Sequence, residues 1–134
     1  MEPASFVLDT FAVIALVQDE PGAEQVERLL ADAEAGAASL HMCSVNVAEV
    51  LYALWRRGNE LAARVKVADL QLVGVQFHDA TTQLSLRAGA LKAQYPITLG
   101  DCFAAALAQH LGATLVTGDP EFRPLEDVVK IEWL

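Results

Sequence analysis

Apolar and polar positions fall in blocks along this chain, and each block has the length of one secondary-structure element. Phe6-Val7-Leu8 is a short apolar run closed by Asp9-Thr10, and the next apolar stretch, Phe11 to Val17, is broken by Asp19-Glu20-Pro21-Gly22. A strand followed by a short helix is predicted. From Gly22 to Ala35, Val26, Leu29 and Leu30 recur at helical spacing among Glu24, Glu27, Arg28, Asp32 and Glu34, a one-sided amphipathic helix stopped by Gly36. Ser39 to Cys43 reads as a second strand. Val45 to Arg57 is apolar almost all round until Arg56-Arg57-Gly58, the pattern of a helix buried on more than one side. Asn59 can cap a helix from Glu60 to Leu70; Leu72 to Phe77 reads as a third strand, and Asp79 to Ala93 as a helix ended at Tyr95-Pro96. Gly100 to Leu111 carries Ala104, Ala105, Ala106 and Ala108, a composition that permits close approach to a sheet, and Gly112 stops it. A fourth strand, Ala113 to Thr117, and the turn-rich segment Asp119 to Pro124 precede a final strand at Val128 to Ile131.

Strands alternating with helices of about ten or more residues imply parallel pairing through crossover connections. The expected fold is therefore α/β: a three-layer α/β/α arrangement around a central parallel sheet of four to five strands. At 134 residues and 54% hydrophobic content, residues 1–134 are expected to form a single domain. No stretch approaches the roughly 18 uninterrupted apolar residues of a membrane span, and the start Met1-Glu2-Pro3 is acidic where a signal peptide would be basic. A cytoplasmic protein without a membrane partner is expected. Cys43 and Cys102 lack the spacing of a zinc site or a disulfide framework and read as buried small hydrophobes. The net charge of -9 argues against holding nucleic acid through a broad basic face. It leaves two explanations open, acids clustered around metal or an acidic surface that meets a basic partner.

Binding sites in open parallel sheets form outside the carboxyl ends of the strands. Asp9 directly follows the first strand, and Asp119 lies two residues beyond the fourth. Glu49 and Asp101 fall in the first turns of helices, where backbone N–H groups favour negative charge, so all four acids can face one edge. Like charges packed together raise one another's pKa unless something positive neutralises them. Hard oxygen ligands suit Mg²⁺ or Mn²⁺, ions that activate water and stabilise a departing phosphodiester oxygen. His41, His78 and His110 are scattered without ligand spacing, which disfavours zinc hydrolysis. Each acid also has a purely structural reading. Thr98-Leu99-Gly100-Asp101 and Asn46-Val47-Ala48-Glu49 both have the form of a capping box, and Asp119 has the setting of a turn residue. Asp9 is least easily explained this way, because an acid between two apolar runs sits where an unpaired charge is expensive.

Four motifs in order make the pattern specific: Val7-Leu8-Asp9-Thr10-Phe11, Asn46-Val47-Ala48-Glu49-Val50, Thr98-Leu99-Gly100-Asp101-Cys102 with the alanines that follow, and Leu115-Val116-Thr117-Gly118-Asp119-Pro120. Nearly end to end, the chain resembles the PIN domains, and within them the ribonuclease toxins of VapBC-type toxin-antitoxin pairs. Gly100 departs from the alanine that many members carry, and Pro120 from a charged or polar residue.

The resemblance implies an endoribonuclease that cleaves single-stranded or looped RNA, leaving a 5'-phosphate and a 3'-hydroxyl. Its catalytic set is Asp9, Glu49, Asp101 and Asp119. Asp9 and Asp101 would be the main ligands of Mg²⁺ or Mn²⁺, with Asp119 binding directly or through water; Glu49 would orient or deprotonate the attacking water or help hold a second ion that arrives with substrate, and Thr10 and Thr117 would fix the carboxylates by hydrogen bonds. The implied partner is an antitoxin protein whose basic tail enters the acidic cleft, and the helices at Gly22 to Ala35 and Val45 to Trp55 offer faces for a homodimer. Arg56, Arg57, Arg64 and Lys66 cluster where they can guide a phosphate backbone or form a solvated face. Trp55 and Trp133 read as core or subunit contacts. A haloacid-dehalogenase-type phosphatase needs a second Asp two residues after the first, where Phe11 stands, and a receiver domain needs an acidic pair that Asp9 lacks. The remaining alternative is a PIN fold kept as a non-catalytic binding or assembly module.

Overall fold

The computed structural model describes residues 2–134. Five strands, β1 (Ala4–Leu8), β2 (Ala38–Cys43), β3 (Val75–His78), β4 (Thr114–Thr117) and β5 (Ile131–Trp133), form one sheet in the order β3-β2-β1-β4-β5. Every adjacent pair is parallel, as the alternation of strands and helices requires. The helices are α1 (Thr10–Val17), α2 (Ala23–Glu34), α3 (Ser44–Arg57), α4 (Glu60–Leu72), α5 (Thr82–Gln94) and α6 (Leu99–Leu111), followed by a 3₁₀ helix at Pro120–Leu125. No helix among the described residues is long and apolar enough to cross a membrane.

Alternation along each strand divides the core into the two outer layers. Val7, Cys43 and Leu115 point to the α5/α6 side, where they meet Leu84, Leu91, Phe103 and Phe122. Their neighbours Leu8, Met42 and Val116 point the other way, onto Val13, Val26, Val50 and Leu70 of α1 to α4. Buried on both faces, the central strands carry the near-continuous apolar runs expected of a parallel sheet. The alanines of α6 allow the close packing their composition predicts: Ala104, Ala105, Ala106 and Ala108 are fully buried between the sheet and the neighbouring helices.

Two strand boundaries and the burial of one helix differ from the pattern. Leu72 and Val73 belong to the end of α4 and not to a strand: the Val73 N–H bonds the Asp69 carbonyl, Leu72 is 82% exposed, and Gly74 turns the chain at φ 105° before β3 begins. The last strand starts at Ile131, because the N–H groups of Val128 and Val129 both bond the Leu125 carbonyl and close a turn. Trp133 therefore lies inside β5, paired with Thr117. Finally, α3 packs against α1, α4, α6 and the sheet but leaves one face open. Asn46, Val50 and Leu54 face inward, whereas Tyr52 and Trp55 stand in solvent with Arg56 and Arg64 over their rings. Aromatic side chains on the outer face gave the helix its all-round apolar look.

The sheet order has a consequence for function. From β1 the chain winds outward to β2 and β3, then returns to place β4 and β5 on the other side of β1. The reversal lies between β1 and β4, and a crevice opens at their carboxyl ends. Replacing Ala105 by Leu in the layer that seals this arrangement is expected to destabilise the fold by about 1–3 kcal/mol. Urea unfolding checks it: the midpoint falls while the slope with denaturant stays that of the wild type.

Candidate metal centre

Asp9 ends β1 and opens α1, and its side chain is nearly sealed from solvent at 2% exposure. Its Oδ1 accepts the Ala12 N–H at 2.8 Å, capping α1, and its Oδ2 accepts the Thr117 hydroxyl at 2.5 Å. Thr117 is itself fully buried at the end of β4, and its Oγ1 also accepts the Asp119 N–H at 3.0 Å. One hydroxyl thus ties the acid of β1 to the loop after β4. Burial pushes the Asp9 carboxyl up to about 7 against the pull of these two donors, and the charges of Asp101 and Asp119 add to the rise.

Asp119 sits at the start of the 3₁₀ helix, where its Oδ1 accepts the Glu121 N–H at 2.9 Å. Pro120 occupies the first helical position, where a proline's fixed φ and missing N–H cost nothing. Phe11 lies over Gly118, and a Cβ at that position would collide with its ring, so glycine lets the loop pass beneath the ring without displacing it. Asp101 lies in the first turn of α6, its N–H accepted by Thr98 Oγ1 at 3.4 Å. Half-buried, its carboxyl is raised to about 6, first by burial and then by the charges of Asp119, Glu49 and Glu121.

Glu49 is held by a separate set of bonds. Its Oε1 accepts the Thr10 hydroxyl at 2.7 Å and the Asn46 Nδ2 at 2.9 Å, and Asn46 also donates to the Gly100 carbonyl at 3.1 Å. The capping box expected of Asn46 and Glu49 does not form, because α3 begins two residues earlier and both lie within the helix, one turn apart. Asn46, 1% exposed, positions Glu49 from within the helix and is not its cap. Gly100 makes room for this arrangement: a Cβ there would lie 2.5–2.8 Å from the three terminal atoms of Glu49.

Asp9, Glu49, Asp101 and Asp119 all line one cleft of about 460 Å³, together with Thr10, Glu20, Arg57 and Glu121. Carboxylate oxygens of Asp101, Asp119 and Glu121 lie within 4.8 Å of one another, spacing that suits a hard cation. Glu121 was hidden in sequence by its turn-like setting. Of the four clustered basic residues only Arg57 reaches the cleft; Arg64 is paired with Glu60 at 2.8 Å, and Arg56 lies against Tyr52.

Two outcomes follow from this geometry. A carboxyl whose pKa is raised on folding holds a proton that the unfolded chain releases, so metal-free stability falls as pH climbs from 3.8 toward about 7. In chelator, the wild type is expected to be less stable at pH 8 than at pH 5, by on the order of 1–3 kcal/mol. Asp9→Asn, whose Oδ1 can still accept the Ala12 N–H and whose amide would donate to Thr117 Oγ1 in place of accepting from it, should flatten that dependence in urea titrations at the two pH values. Gly100→Ala is expected to lower stability by about 1 kcal/mol despite its gain in helix propensity, because it expels Glu49 from its bonds. In a Glu49→Ala background the same change should turn stabilising, and a double-mutant cycle of melts reads the difference.

The PIN domain family profile matches residues 6–127 of this chain. No curated protein matches it. Among solved structures, it is similar to DNA-bound VapBC from Salmonella typhimurium, at 20% identity over 96% of this chain and 97% of the other, with a TM-score of 0.76. VapBC-1 from nontypeable Haemophilus influenzae is 26% identical over 96% and 97%, with a TM-score of 0.70. VapC20 of Mycobacterium tuberculosis, described as a sarcin-ricin loop cleaving toxin, is 18% identical over 89% and 93%, with a TM-score of 0.73. With a five-stranded parallel sheet, acids gathered at its switch point and a family match that spans most of its length, the chain belongs to the PIN domain family.

Proposed function

We propose that this protein is a divalent-metal-dependent endoribonuclease and the toxin of a VapBC-type pair. The observation that carries the reading is the convergence of Asp9, Glu49, Asp101 and Asp119 on one cleft at the crossing between β1 and β4. The donor set fits Mg²⁺ or Mn²⁺: it offers only carboxylate and hydroxyl oxygens, and the raised pKa values of Asp9 and Asp101 mark a place where positive charge is wanting. Asp9, Asp101 and Asp119 would hold the ion, which supplies Lewis acidity and an activated water to phosphodiester hydrolysis. Glu121, close to Asp101 and Asp119, adds a further oxygen on the open side.

The protein's own groups divide the remaining work. Asp9 would hold the ion as its carboxylate, with the Thr117 hydroxyl and the Ala12 N–H keeping both of its oxygens in place. Glu49, oriented by Thr10 and Asn46, is the base that takes a proton from the attacking water. Arg57 at the cleft wall meets substrate phosphate. RNA is the substrate favoured by the reading of VapC20 as a toxin that cleaves an RNA loop. Residues 1–134 would act as a single PIN domain in the cytoplasm, as a homodimer, with an antitoxin whose basic tail occupies the acid-lined cleft and is drawn by the net charge of -9.

Purified wild type should cleave single-stranded RNA with Mn²⁺ or Mg²⁺ and lose this activity in chelator. Asp9→Asn and Asp101→Asn should each reduce the rate by about a hundredfold or more, and Thr117→Val should weaken metal affinity roughly 10- to 100-fold. Cleavage that persists in chelator or in both Asn variants sinks the assignment. A wild type that neither cuts RNA nor takes up Mn²⁺ in calorimetry is a binding module.

A further inference from the structure

The three histidines that look scattered in sequence are gathered by the fold. Ser39 and His41 project from β2 to the side on which Cys43 meets α5 and α6, and Gln76 and His78 stand beside them on β3. A chain of contacts joins them: Gln76 Nε2 donates to Ser39 Oγ at 3.2 Å, Ser39 Oγ lies 2.7 Å from His41 Nε2, and His41 Nδ1 lies 2.8 Å from His78 Nε2. Burial lowers the pKa of both rings, His41 further through His78 and His78 further through His110, so both are neutral at pH 7.

The direction of the chain follows from counting donors. If His41 donated to Ser39, the hydroxyl would accept twice and its own hydrogen would have no protein acceptor among the described residues. With Ser39 donating to His41 Nε2 and His41 Nδ1–H donating to His78 Nε2, neutral His78 carries its hydrogen on Nδ1, and that N–H is the one group of the three left without a protein partner, whereas the reverse direction would strand both the Ser39 hydrogen and the His78 Nδ1 lone pair. Nothing among the described residues takes that N–H, and it is not sealed from solvent.

His78 lines a pocket of about 310 Å³ between the end of β3 and the α5/α6 pair, which shares no residue with the acidic cleft. Arg87, His110, Gln83 and Thr81 also line it. Arg87 makes no ion pair among the described residues, although Asp79 is on the same wall. A preformed metal site is not present: no three His, Asp, Glu or Cys ligand atoms gather here among the described residues. Among the lining residues Arg87 is the one cation and Asp79 the one acid, while His78, His110, Gln83 and Thr81 can each donate a hydrogen bond.

We propose that this pocket is a second ligand site that takes a phosphate-type oxyanion, with the Arg87 guanidinium and the His78 Nδ1–H as its principal donors. The Ser39–His41 relay fixes the His78 tautomer, so the ring meets the ligand as a donor without carrying charge beforehand.

The test uses the full, metal-free chain and inorganic phosphate, followed by proton–nitrogen correlations of the histidine rings, with no RNA present. A failure here therefore leaves the nuclease reading untouched. His78 should start as the Nδ1–H tautomer, and phosphate should shift the His78 and His110 rings saturably. Arg87→Gln, at an exposed position, should weaken binding about tenfold or more, while Arg64→Gln, remote and already paired with Glu60, should not. Adenosine monophosphate should bind and adenosine should not; tighter binding of the nucleotide than of phosphate assigns the site to a nucleotide-borne group, equal binding to free phosphate. An Nε2–H tautomer at His78, shifts that never saturate, indifference to Arg87→Gln, or Zn²⁺ uptake in place of a phosphate response each overturns the proposal.

Discussion

A carboxylate sealed at the end of a strand must be met by donors, and the donors that meet Asp9 set the geometry around it. One comes from the first turn of α1 and the other from the end of β4. The first is a helix cap, local and common. The second is long-range, and it makes the β1–β4 pairing, the direction of the following loop and the place of Asp119 parts of a single constraint. Neither donor cancels the cost of burial, which is why the carboxyl remains raised to about 7. The site is held in a state of unmet demand for positive charge, and the surrounding packing sustains it.

Glu49 answers a different set of partners. Thr10 and Asn46 hold it from α1 and α3, and the bare Gly100 lets it rest against α6. Asp9 and Glu49 are thus anchored independently, although Thr10 follows Asp9 directly in the chain. On the proposed reading, this independence lets the group that would hold an ion and the group that would move a proton be tuned separately. A methyl group at position 100 would remove that freedom from Glu49 while leaving the bonds of Asp9 in place.

The layered α/β architecture was legible in the alternation of short apolar runs with helical ones, and the edge that carries Asp9 and Asp119 followed from it. Where the pattern misled, an apolar residue was on the surface. Leu72 at the end of α4 and Tyr52 and Trp55 on the outer face of α3 carry no mark in sequence that separates them from core positions. The tie from Thr117 to Asp9 spans 108 positions and rests on strand order, which periodicity does not encode. Asn46 lies inside the second motif and Glu121 in the turn-rich segment after the fourth strand, yet their roles depend on where α3 begins and how the loop after Asp119 folds back. His41 and His78 met for the same reason: they stand on adjacent strands, and only the register of β2 against β3 brings them together.

The separation of 108 residues between Asp9 and Thr117 also sets a schedule for synthesis. A ribosome releases Asp9 and Glu49 early, but β4 emerges only when most of the chain has been made, and contacts that close so large a loop form late. Until then Asp9 lacks the hydroxyl that orients it, and the cleft lacks Asp119. Whatever reaction the assembled carboxylates perform, an unfinished chain that stops short of β4 is incapable of it. A cell making this protein is exposed to its chemistry only after the sheet has closed around β1.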